Sequence, residues 1–304
     1  MNLPTLGYAC INTELRKIGV TTNRGCKAAT LKKSGIQYAS KLALENAKDL
    51  YKTIVWNHQN GINFFRISSD VLPWGSKINI EDYPDYNEIR SVLELAGKFA
   101  NTHGQRLTTH PGPFNLLASP KEDVVLNTIG DLEMHSKFFD LLNLSESPYN
   151  KINIHIGATY GNRESAARTW LTNFKRLSSA CRSRLTVEND DKASMFSVKD
   201  LYSMIHSEVG VPIVFDYHHH KFCTGDLSEQ DALELAISTW PKDIVPVTHY
   251  SESKSLHEND STIRLQAHSD FITGTINTYG NTIAVMIEAK AKEQALITYK
   301  KNQT

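Results

Sequence analysis

A chain of 304 residues with 40% hydrophobic content is long enough to bury a large core. Lys+Arg and Asp+Glu stand at 33 each, so overall charge neither demands a polyanionic partner nor rules one out. Cys10, Cys26, Cys181 and Cys223 lie far apart without Cys-x-x-Cys spacing, which argues against a zinc knuckle or a disulfide framework, and no apolar run approaches membrane-spanning length.

No Pro/Gly/Ser-rich linker, low-complexity segment or internal repeat divides the sequence, so residues 1–304 are expected to form a single domain. The opening MNLPTLGYAC has neither the basic nor the apolar region of a secretory leader. The expectation is a cytoplasmic monomer in a reducing compartment, with no membrane and no protein partner.

Leu6 to Cys10 reads as a short strand. A polar stretch from Ile11 to Ser40 follows, with Arg16, Lys17, Arg24, Lys27, Lys32 and Lys33 against one acid, Glu14. A connection so long is usually functional or mobile, and its charge leaves two readings open: phosphate contact or an ordinary solvated loop. Leu42 to His58 has the spacing of an amphipathic helix, ended by Asn60-Gly61, and Ile62 to Ser68 is the second strand. In the loop beyond it Trp74 is either packed or free to stack on a base.

From here strands and helices alternate regularly. Tyr86–Asn101 is helical and 106–109 is a strand ending in His110; Lys121–Leu142 is helical and 151–154 is a strand ending in His155. Arg163–Cys181 is helical and 184–187 is a strand ending in Glu188; Val198–Val209 is helical and the apolar run from Ile213 ends in Asp216. Glu229–Thr239 is helical, 244–248 is a strand ending in His249, and 283–287 is a strand ending in Glu288 before a closing helix, Ala289–Tyr299. Eight such strands in this length predict one closed (β/α)8 TIM barrel of parallel strands with crossover helices.

The polar residues are placed where that barrel gathers its active sites, at the C-terminal strand ends. The plainest case is PIVFDYHHH, an apolar run ending in Asp216 and then three histidines, of which His219 stands where the chain leaves the strand. Each such residue alone could be a packed histidine or a capping carboxylate. Together they would be a costly cluster unless cations neutralised it. With His219 and His268 added, His110, His155, His249, Glu188, Asp216 and Glu288 make a candidate metal set of imidazoles and carboxylates. That is too many ligands for one ion with an open position, which predicts two or three, with Glu188 bridging. Closely spaced ions suit phosphate ester hydrolysis, with Glu188, Asp216, His249 and Glu288 as the catalytic core. No Walker, dinucleotide or Gly-x-Ser-x-Gly pattern competes.

The motifs LGYAC, TTNRGCKAATL, FFRISSDVLPWGS, THPGPF, IHIGATYGNR, LTVEND, VFDYHHH, VTHYS, QAHSDFI and MIEAKAKEQAL occur in an order, over nearly the whole chain, that resembles the ultraviolet-damage endonucleases, relatives of endonuclease IV-type abasic-site enzymes. The resemblance implies a metal-dependent nick in damaged double-stranded DNA on the 5′ side of a pyrimidine photodimer or similar distortion, with manganese as the ion. It implies the same eight ligands, places Tyr8 near the damaged bases, and favours phosphate contact by Arg24, Lys27 and Lys33. His218 would orient a ligand rather than bind metal; Asn189 and Asp190 would be structural or supporting.

Two departures stand out. The family's Gln-Tyr probe pair after HPG is here Pro113-Phe114, leaving Phe114 to stack. The family's lysine two positions before the strand-seven histidine is here Val247. Sugar isomerases and epimerases share the barrel and much of the metal layout, and a damage-binding scaffold weakened at Val247 is the non-enzymatic alternative.

Overall fold

The computed structural model describes residues 4–303. Eight parallel strands close in sequence order into one barrel, with the last paired to the first. They are β1 (Thr5–Cys10), β2 (Phe64–Ile67), β3 (Arg106–Thr109), β4 (Ile152–Ile154), β5 (Leu185–Glu188), β6 (Ile213–Asp216), β7 (Val247–Tyr250) and β8 (Ala284–Ile287). Runs such as IVFD and AVMI are buried at every position, as strands covered on both faces must be.

The helices around them are α1 (Thr13–Lys17), α2 (Ala28–Gln59), α3 (Tyr86–Thr102), α4 (Glu122–Leu141), α5 (Arg163–Phe174), α6 (Ser179–Arg184), α7 (Val198–Leu201) and α8 (Ser207–Val209), the last two joined by a wide helical turn at Tyr202–His206. They continue with α9 (Tyr217–His220), α10 (Glu229–Ser238), α11 (Lys254–Glu258) and α12 (Glu293–Gln303). Among them none is long and apolar enough to cross a membrane. The four cysteines are unpaired.

Because side chains alternate along a strand, the barrel builds two apolar layers. Tyr8, Phe65, Ile67, Leu107, Ile154 and Phe215 belong to the large core between sheet and helices. Ala9, Phe64, Val214, Val247, Ala284 and Met286 form a separate cluster inside the barrel, joined by Trp240. The Arg106 guanidinium lies over the rings of Phe64, Tyr149 and Trp240 and donates to the carbonyls of Pro148, Tyr149 and Val245. The lumen beneath the strand ends is therefore packed and rigid.

Several expected boundaries move. The stretch read as a loop from Ile11 to Ser40 holds α1 and the first turns of α2. Its residues there, AATLKKS, are good helix formers, but Ala28, Ala29, Lys32 and Lys33 are exposed, so no apolar face announced the helix. Gly35 adopts φ 74 and kinks it. The helix expected over Arg163–Cys181 breaks at 175–178, where Ser178 caps α6 through its side chain. The closing helix starts at Glu293 rather than Ala289, after Lys292 takes a left-handed φ of 56. The histidine triplet is a one-turn helix, α9, capped by the Asp216 side chain.

Candidate metal centre

β5 carries Glu188 to the middle of the barrel mouth, where only 1% of its side chain is exposed. Its two oxygens face different partners. Oε2 lies 3.2 Å from His110 Nε2 and 3.0 Å from His249 Nδ1; Oε1 lies 3.4 Å from His219 Nδ1 and 3.9 Å from His155 Nε2. His249 Nδ1 also lies 3.2 Å from Glu288 Oε1, and the β6–β7 register sets Asp216 beside His249. Ligand atoms of His110, His155 and Glu188, and again of Glu188, Asp216 and His249, all fall within 4.8 Å of one another.

Three of the five imidazoles have Nδ1 against a backbone carbonyl, and a fourth, His155, has it near a carboxylate. His110 Nδ1 meets the Pro111 carbonyl at 3.1 Å, His155 Nδ1 meets Asp190 Oδ1 at 3.0 Å, His219 Nδ1 meets the Asn189 carbonyl at 2.9 Å, and His268 Nδ1 meets the Glu288 carbonyl at 3.0 Å. His110, His219 and His268 donate Nδ1–H to a carbonyl, which leaves Nε2 with its lone pair, the arrangement that prepares a histidine for metal. His249 is reversed: its Nδ1 faces the carboxylates and its Nε2 faces Lys151.

The electrostatics match a site that wants cations. Burial pushes the Asp216 carboxyl up to about 6, against the neighbouring His219, and its Oδ2 is buried without a hydrogen-bond partner. Burial pushes His110 down to about 4. For His155 burial acts downward too, yet Glu188 and Asp190 outweigh it and raise the ring to about 10. Glu188 is held well below the usual carboxylate range despite its burial, because His249 and His155 oppose that penalty. An orphaned carboxylate oxygen among imidazoles and carboxylates fits divalent ions of the Zn, Mn or Fe type, whose ligand preferences are these.

Three further residues are drawn into the site by the fold. Arg66, inside β2, pairs with Glu288. Asn153, in β4, donates to Glu188 Oε2. Lys151 is fully buried, and its Nζ lies 3.2 Å from His249 Nε2. Burial depresses the Lys151 amine well below its usual range, although Glu188 acts the other way. A charged residue at an inward position of an apolar strand is the signal that could have found Arg66 and Lys151. Val247, where the resemblance led one to look for a lysine, packs in the apolar lumen cluster, and the amine beside His249 comes from Lys151 instead.

The expected DNA-facing residues divide. Phe114 is 86% exposed on the loop after β3, beside a cavity of about 250 Å³ lined by His110, Pro113, His155, Lys192, Met195 and His219. Lys27 and Lys33 are exposed. Tyr8 is not: it is fully buried on the outer face of β1, its hydroxyl donating to Asn57 and accepting from Asn12, so strand register turned it away from the mouth. Arg24 has its guanidinium committed to the Thr21 and Gly19 carbonyls and to Asp49, tying its loop to α2. Trp74 is half-buried and donates to the Cys26 carbonyl, the packed alternative. His218 sits edge-on to His268 and Phe222 and supports the former by packing.

Known proteins share this arrangement in sequence and shape. The family described as UV-endonuclease UvdE matches residues 4–303. A UV-damage endonuclease of Schizosaccharomyces pombe is 37% identical over 96% of this chain and 49% of its own length, and a UV DNA damage endonuclease of Clostridium perfringens is 36% identical over 81% and 58%. The chain thus spans about half the length of the fungal relatives it matches. The solved structure of SacUVDE superposes with a TM-score of 0.83 at 27% identity, covering 99% of this chain and 100% of that one. Endonuclease IV from Thermus thermophilus, at TM-score 0.58 and 13% identity over 98% of each chain, shares the fold. On the length and identity of these matches, the chain belongs to the UV-endonuclease UvdE family.

Proposed function

We propose that this chain is a metal-dependent endodeoxyribonuclease that cuts the backbone of damaged double-stranded DNA on the 5′ side of ultraviolet photoproducts and similar distorting lesions. The observation that carries the reading is that Glu188 belongs to two candidate ligand groups at once, with His110 and His155 and with Asp216 and His249, the ligand atoms of each group lying within 4.8 Å of one another. His110, His155, Glu188, Asp216, His219, His249, His268 and Glu288 would hold two or three divalent ions, manganese foremost. Bound there, such ions supply positive charge against the phosphate oxygens and lower the pKa of water at the site.

The protein's own residues do the rest. Asp190 and the carbonyls of Pro111, Asn189 and Glu288 orient the imidazoles; Asn189 clasps the Asp216 backbone through both its amide oxygen and its amide nitrogen. Arg66 steadies Glu288 from the β2 side. Phe114 stands where it could stack against an unstacked base, and Lys27 and Lys33 face outward where a phosphate backbone could reach them. A lesion costs less to kink and unstack than intact duplex, so deformability can select the substrate without base-specific contacts. All eight proposed ligands come from one chain, which suits a monomer, and four unpaired cysteines suit a cytoplasmic setting.

The test is irradiated supercoiled plasmid incubated with Mn²⁺. Conversion to the nicked form, abolished by chelator and absent from unirradiated plasmid, is expected. Retarded but intact plasmid would favour a damage-binding scaffold, and turnover of a ketose with a single bound ion would favour an epimerase.

A further inference from the structure

We propose that Asn153, hydrogen-bonded to Thr186, is a positioning residue that fixes the Glu188 carboxylate where the two candidate metal-ligand groups meet. The inference rests on the metal-centre reading above and concerns residues that bind no metal themselves.

Asn153 and Thr186 are paired neighbours on β4 and β5, one layer below the candidate ligands, and both are fully buried. The Thr186 hydroxyl donates to Asn153 Oδ1 at 2.7 Å. The acceptor-only Glu188 carboxylate settles which way the amide lies, because a flipped amide would set its oxygen against it, and the Thr186 hydroxyl then holds the amide oxygen in place. The Asn153 Nδ2 is therefore the end that reaches Glu188, and it donates to Oε2 alone.

A glutamate's terminal torsion is broad, so a bare carboxylate can swing to chelate one ion through both oxygens. Here Asn153 pins Oε2 between His110 and His249, one member of each candidate ligand group, so Glu188 stays where the two groups meet. A neutral amide does this without adding charge to a buried site already crowded with it. Removing such a support typically costs about 10–100-fold in metal affinity.

The experiment compares wild type with Thr186→Val, Thr186→Ser and Asn153→Ala, purified and reloaded with Mn²⁺. Manganese per chain is measured by mass spectrometry, affinity by titration, and spin coupling between ions by electron paramagnetic resonance. Wild type and Thr186→Ser should show coupled manganese. Thr186→Val and Asn153→Ala should bind about 10–100-fold more weakly and show mainly isolated ions. If Asn153→Ala does not fold, judged by its urea transition, the near-isosteric Thr186→Val against Thr186→Ser decides. Coupled, wild-type manganese in Thr186→Val, or equal loss in Thr186→Ser, overturns the proposal while leaving the metal centre standing. Wild type that takes up no manganese overturns the metal centre and this proposal with it.

Discussion

At the scale of single residues the barrel mouth is organised by what stands behind each ligand. Glu188 is worth most, because it belongs to both candidate ligand groups. Glu188→Gln is expected to lower nicking of irradiated plasmid by several orders of magnitude while the urea unfolding curve stays near wild type; retained nicking would remove Glu188 from the bridge. Lys151 is a different case. A fully buried amine beside one imidazole is costly to desolvate, so Lys151→Met should stabilise the chelator-treated protein by roughly 1–3 kcal/mol in urea unfolding. The same substitution removes the partner of His249 Nε2 and should weaken Mn²⁺ binding by about tenfold. Opposite signs for the two measurements would separate a supporting amine from one that merely fills space.

At the scale of elements, two helices show how the shell is fitted to the barrel. Gly97 lets α3 approach the end of α4 so closely that a Cβ there would sit 1.7 Å from the Leu142 carbonyl oxygen. Gly97→Ala should therefore cost roughly 1–3 kcal/mol, read from the urea midpoint, through forced separation of backbone from backbone. In α2 the kink at Gly35 divides an exposed, basic first segment from a buried second one. Lys33 lies on that first segment and Lys27 immediately precedes it, both exposed and with no role in the core. Replacing either by Ala should reduce the salt slope of damaged-DNA binding by about one, as for a lost phosphate contact, with stability unchanged. Arg24→Ala should do the reverse and loosen the loop that it ties to Asp49.

At the scale of the whole molecule the order of strands, the parallel closure and the convergence of strand-end imidazoles and carboxylates were legible in the sequence. From the third strand onward each apolar run ends in His, Asp or Glu, and a barrel brings those ends to one rim whatever the details of its helices. If ions bind the folded state alone, Mn²⁺ at about a hundred times its Kd should add about 2.7 kcal/mol of stability, reversed by chelator, in thermal unfolding. What lies on the far side of each ligand was not legible. Tyr8 turned outward and Phe64 inward through register, which a motif does not record, and Arg24 pairs with Asp49 on α2. Local order along the chain decided which residues reach the strand ends, since period-two alternation and apolar runs are properties of short segments. Only the closed barrel decided that Lys151, Asn153 and Thr186 lie beneath them, because an inward side chain acquires its neighbours from strands remote in sequence, brought within bonding distance when the sheet closes on itself.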